Sequence, residues 1–122
     1  MKKFALFLVF GFSFCSITIS QEVSCEDLQE FIEDNGYRKS TLSSYTLDSS
    51  WLHKVTAYSY DYKIYVVAEI KKNEYSFSTK TYIFCGIPSQ NWSNFQYGSY
   101  RESDSYGKRF HKYIMDYLCN CY

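Results

Sequence analysis

The chain changes its hydrophobic rhythm four times. Phe4 to Phe14 is one uncharged apolar run, FALFLVFGFSF, behind Met1-Lys2-Lys3. After a polar stretch, Leu28, Phe31 and Ile32 fall at i, i+3 and i+4, which predicts a short helix with one apolar stripe. Ser24 is placed to cap it and Asp27 puts an acid in its first turn. Asn35-Gly36 is expected to end it, with the glycine in the left-handed conformation. Residues 37–50 are polar and hydroxyl-rich, which predicts a connector with one short strand near Tyr45 to Leu47.

From Trp51 the period becomes two. Val55, Ala57 and Ser59 alternate with Thr56, Tyr58 and Tyr60. Ile64, Val66, Ala68 and Ile70 then alternate with Tyr65, Val67, Glu69 and Lys71. A third run, Tyr75 to Cys85, places Tyr75, Phe77, Thr79, Thr81, Ile83 and Cys85 on one face, with Tyr82 and Phe84 on the other. Three strands in succession with short links predict an antiparallel meander. Pro88, the only proline, suits the start of a helix whose apolar side is Trp92 and Phe95 and which Gly98 ends. A loop over 98–105 leads to a final helix carrying Tyr106, Phe110, Tyr113, Ile114, Tyr117 and Leu118 at helical spacing. The fold class is therefore α+β: a three- to four-stranded antiparallel meander packed by a C-terminal amphipathic helix, with an extra N-terminal helix.

The leading apolar run of about eleven residues is too short for a bilayer-spanning helix, which needs roughly 20. Ser20 at −1 and Thr18 at −3 offer a cleavage site before Gln21, so residues 1–20 are expected to be a removed export signal of bacterial character. Lipidation of Cys15 is the rival; the bulky Phe14 before it argues against that, and an uncleaved anchor is the third possibility. Cleavage leaves about 102 residues, one domain with no stable membrane span. Its parts are the helix and connector over 21–48 and a domain over 49–122 that ends in a cysteine-containing tail. The destination is the periplasm or the exterior, where disulfides persist.

Cys25, Cys85, Cys119 and Cys121 remain after cleavage, and an even number in a small exported chain reads as a disulfide framework. Cys119 and Cys121 are too close in sequence for an unstrained bridge. Cys25 and Cys85 should each take one of them, in either pairing. A bridge from Cys25 closes roughly 95 residues, about 4–5 kcal/mol on the chain-entropy model. Zinc held by the Cys-x-Cys pair with Cys85 and His111 fits no common spacing, so no metal or cofactor is expected.

Lys plus Arg and Asp plus Glu each number 13, and loss of Lys2 and Lys3 leaves the mature chain near −2. That charge disfavours nucleic-acid binding, which relies on neutralising phosphate. All 14 Tyr fall beyond the signal. Tyrosine suits a thin domain, since it buries its ring and keeps its hydroxyl wet. A stacking platform for sugars or bases is the functional alternative.

Residues 49–117 resemble the KTSC domain, a small domain that takes its name from the C-terminal region of some lysyl-tRNA synthetases. Ser49-Ser50 resembles its Ser-Ser start, Tyr82-Ile83-Phe84 its Tyr-x-Tyr strand, and Ile87-Pro88 its Val-Pro. Ser105-Tyr106-Gly107-Lys108-Arg109-Phe110 is similar to its Ser-Lys-Gly-Arg-x-Phe helix, with Ile114 following. The hairpin before Tyr82 is longer than the family's, Phe84 lacks the second hydroxyl, and the cysteines lie outside the pattern. The family has no established activity to carry over, and its synthetase link to RNA does not suit an exported neutral chain.

Ser105 as cap, Gly107 near the helix start, and Lys108, Arg109, His111 and Lys112 just beyond could with Arg101 form an anion site beside Tyr82. The alternative is a capped helix with a solvated basic face. The candidate binding residues are Tyr82, Phe84, Ser105, Gly107, Lys108 and Arg109. If Lys108 and Arg109 form a surface site, changing both to glutamate should leave the melting temperature nearly unaltered. His53 and His111 have no evident partners and no catalytic residue is assigned. The expectation is a non-catalytic binding or interaction module whose partner is a protein or a small anionic ligand of the cell envelope. A small envelope hydrolase and a nucleic-acid-binding aromatic sheet face are the alternatives.

Overall fold

In the computed structural model, residues 23–122 are described; the expected export signal, its cleavage point after Ser20 and Cys15 lie outside them. Ser24 caps the first helix, α1 (Cys25–Asn35), by accepting from Asp27 N at 3.1 Å. Strand β1 (Tyr37–Leu42), a one-turn helix α2 (Ser44–Leu47), and strands β2 (Leu52–Tyr60), β3 (Lys63–Lys71) and β4 (Thr79–Phe84) follow. Helices α3 (Ser89–Tyr97) and α4 (Tyr106–Tyr113) and a 3₁₀ turn over Met115–Tyr117 complete the order. The four strands form one antiparallel sheet in sequence order, so the chain has an α+β fold with a helix from its C-terminal region on the sheet.

The sheet is covered on both faces, and this breaks the simple alternation. Val55, Ala57, Val66, Ala68 and Phe84 join Trp92, Phe95, Phe110 and Ile114 in the larger core under α3 and α4. Phe110 meets Phe84 and Phe95 edge to face at 5.2 and 5.6 Å, contacts that add about 0.5–1.5 kcal/mol each beyond burial. On the opposite face, Ile32 of α1 packs with Val67, Ile83 and Cys119. Neighbours such as Ile83 and Phe84 are thus both buried, one on each face. Asp61 and Tyr62, both at positive φ, close the β2–β3 hairpin in two residues.

Four expectations are corrected. Residues 37–50 are no connector: Tyr37–Leu42 is a strand paired with β2, and the stretch near Tyr45 to Leu47 is helical. A polar strand is stable there because it lies at the sheet edge, where backbone pairing needs no apolar face. The third run loses its first part, and β4 begins only at Thr79. Asn73 and Ser76 satisfy the backbone of the turn instead, through Tyr75 N–H to Asn73 Oδ1 at 3.0 Å and Ser78 N–H to Ser76 Oγ at 2.9 Å. The last helix stops at Tyr113, and Leu118 pairs with Phe84 as a strand would. Gly36 is extended rather than left-handed; its lack of a side chain matters because a Cβ would sit 2.7 Å from the Ile32 carbonyl oxygen.

Candidate functional site

The residues of the Ser105–Phe110 motif build the start of α4. Ser105 Oγ accepts from Lys108 N at 3.2 Å, which caps the helix. Gly107 is buried against Trp51, and a Cβ there would lie 2.8 Å from Trp51 Nε1. Trp51 is held in turn by Phe110 edge to face at 5.7 Å and by the His111 ring at 5.0 Å. Ser49 Oγ accepts from the N–H groups of Trp51 and Leu52 at 3.2 and 3.1 Å, so the Ser-Ser start and the α4 motif meet around one indole. Between them lies a shallow cleft of about 310 Å³, bounded by Ser49, Ser50, Trp51, Gly107, Lys108 and His111. Neither Arg101 nor Tyr82 is on its wall.

Arg109 turns inward and is only 9% exposed. It donates Nε–H to the Phe95 carbonyl at 2.9 Å and an Nη1–H to the Asp104 carbonyl at 2.6 Å, and its guanidinium lies 4.3 Å from the Tyr106 ring centre. Phe84 is 1% exposed in the main core. Tyr82 sits half-buried on the same face of β4, 5.6 Å from the Tyr122 ring. Of the six candidates, Ser105, Gly107 and Lys108 share the cleft, while Arg109, Phe84 and Tyr82 pack elsewhere.

Beside α4, Lys112 bridges Glu102 and Asp104. Glu102 also accepts from Ser99 N at 2.9 Å, Ser99 Oγ at 3.1 Å and Tyr113 Oη at 3.0 Å. The Lys112 ammonium and then the Ser99 N–H hold the Glu102 carboxyl down to about 2, and the same carboxylate pushes the Lys112 ammonium up. This cluster pins the 98–105 loop to the helix.

The C-terminal tail is the other constructed feature. Cys25 is bonded to Cys121 and Cys85 to Cys119, each pair with Cα atoms 5.1 Å apart, which settles the open choice of pairing. The tail runs along the outer edge of β4: Cys85 N donates to Tyr117 O at 2.7 Å and Cys119 N to Ile83 O at 3.2 Å. Ile83 N donates to Tyr122 Oη at 2.8 Å. The cover stops there. Thr79 and Thr81 present their main-chain groups to the same edge without partners among the described residues. A groove of about 700 Å³ lies between this open edge and the Glu26, Asp27, Glu30 and Glu33 row of α1. The β3–β4 loop that leads into Thr79 holds Phe77 at 102% and Tyr75 at 87% exposure.

The motifs of the sequence point to none of this surface. The acidic spacing of Glu26, Glu30 and Glu33 at i, i+4 and i+7 is its one visible signal. The edge that faces those residues follows only from the disulfide pairing. Among the described residues no helix is long and apolar enough to cross a membrane, and no three His, Cys, Asp or Glu side chains are grouped to hold a metal. Two disulfides suit an oxidising compartment. The chain matches no protein-family model, no curated protein and no solved structure.

Proposed function

We propose that this is an exported, KTSC-like, non-catalytic module that binds another protein of the cell envelope, reaching the periplasm or exterior after cleavage at Ser20. The observation that carries it is Phe77, fully in water, two residues after the exposed Tyr75 and two before Thr79, where the open strand edge begins. Aromatic side chains exposed together serve best as interface anchors, because they bring large apolar area at little cost in conformational freedom. The contact surface is this end of the sheet rather than the α4 motif, a choice supported by the inward positions of Phe84 and Arg109.

The test is a photo-cross-linking residue placed at Phe77 and, as a control, at Tyr45, which is 94% exposed on α2. In the cells that export the protein, position 77 should give one discrete protein adduct that position 45 does not. No adduct at 77, or the same adduct at both positions, removes the proposal.

A further inference from the structure

We infer that the groove between α1 and the open edge of β4 takes an extended, basic segment of the partner protein as a fifth strand. The inference rests on the protein-binding function proposed above and names the partner's chemistry. The edge itself comes first. Strand β1, at the other side of the sheet, carries Arg38 and Lys39 and a register shift between Arg38 and Ser40, the kind of charge and bulge that blunts an edge against pairing. Strand β4 is closed from Ile83 onward by the disulfide-held tail. On the β4 side, the main-chain donors and acceptors of Thr79 and Thr81 have no partners among the described residues, and the groove leaves space in front of them. An incoming strand satisfies such groups, and its side chains choose the partner.

The charge of the groove decides which side chains. Glu26, Asp27, Glu30 and Glu33 line it, and none has a cationic partner within salt-bridge distance among the described residues. Lys80, the one cation on the wall among the described residues, has its Nζ 5.2 Å from the Tyr82 ring. Residues four apart on a helix are about 6 Å apart along its axis. Alternate residues of a strand are about 7 Å apart and share a face. A strand with Lys or Arg at alternate positions therefore matches the spacing of the acidic row. A second copy of this chain fits poorly, because joining two such edges would bring two carboxylate rows together.

The experiment pans a random twelve-residue peptide library on the oxidised chain and counter-selects on the E26Q/E30Q/E33Q variant, with melting and intact-mass checks that the variant keeps its fold and both disulfides. The retained peptides should carry Lys or Arg at alternate positions. A selected peptide should bind the variant at least tenfold more weakly, and its binding should slow amide exchange at Thr79 and Thr81. Three results overturn the inference: no enriched sequence, basic peptides that leave the Thr79 and Thr81 amides unprotected, or a concentration-dependent dimer of the chain protecting those amides without peptide. A specific adduct at position 77 together with any of these would leave the protein-binding function standing and reject the groove alone. Peptide binding without an adduct would show that the groove accepts basic strands but leave no partner protein to supply one, and the inference would fall with the function it rests on.

Discussion

Arg109 donates its Nε–H to the Phe95 carbonyl at 2.9 Å and so ties α4 to the helix before it. The guanidinium serves one buried carbonyl, one part-buried carbonyl and a tyrosine ring, with no carboxylate among its hydrogen-bond partners in the described residues. Arg109→Met should therefore cost about 2–3 kcal/mol, since it removes two charge-assisted bonds and strands both carbonyls. The melting temperature should fall by roughly 10–20 °C. Lys108→Glu, on the exposed side of the same turn, should stay within about 0.5 kcal/mol. Urea unfolding of the two single variants separates them, and equal small effects would show that Arg109 does not hold the two helices. Because Arg109 is only 9% exposed, changing Lys108 and Arg109 together to glutamate should lower the melting temperature, against the expectation of no change.

The two disulfides differ in the chain they close, 96 residues for Cys25–Cys121 and 34 for Cys85–Cys119. On the chain-entropy model these correspond to roughly 4.7 and 3.8 kcal/mol. The C25S/C121S variant should lose slightly more stability than C85S/C119S in denaturant titrations. It should also free α1, so that amide exchange in Leu28–Ile32 speeds up while that in β2 and β3 keeps pace with global unfolding. Undisturbed exchange in α1 would show that the Ile32 contacts alone suffice to dock it.

The elements with strong side-chain periodicity are legible in the sequence. Trp92 with Phe95, and Phe110 with Ile114, point to the sheet as their spacing requires. Two of the departures come from main-chain needs that outweigh side-chain pattern, and a third from the disulfides. β1 has no apolar alternation because its pairing with β2 is what holds it. Tyr75 and Phe77 continue the alternation of β4 in sequence, yet Asn73 and Ser76 draw that segment into a turn. Leu118 keeps helical spacing, but the bonds of Cys119 and Cys121 require the chain to run beside β4. Within the candidate site, Ser105 is legible as a cap from its own neighbourhood. The inward turn of Arg109 is not, because its partner Phe95 is remote in sequence and offers only a carbonyl.

Gly36 has an ordinary negative φ, so its replacement is decided by space alone. An added Cβ would meet the Ile32 carbonyl oxygen at 2.7 Å and Tyr58 Cβ at 3.3 Å, both on packed elements. Gly36→Ala should cost about 1–3 kcal/mol, the range for forcing atoms into filled space. An unchanged denaturation midpoint would mean that α1 can shift away from β2 without loss.

Glu102 makes stability depend on acid. Its carboxyl is held at about 2 when folded, against an ordinary 4.5, chiefly by the Lys112 ammonium. Between those values the unfolded chain binds more protons at this site, so stability rises with pH there. The contribution is complete above about pH 4.5 and is lost as pH falls through about 2. Lys112, pushed up by the same pair, adds stability that persists through neutral pH and fades only in strong alkali. Glu102→Gln should flatten the fall of the urea midpoint between pH 5 and 2, and should lower the midpoint at pH 7, where the wild-type ion pair is intact. Because Lys112 is half exposed, added salt should shrink the neutral-pH difference between the two proteins. Parallel curves for variant and wild type across the acid range would show that the Glu102 cluster orders the 98–105 loop without stabilising the fold.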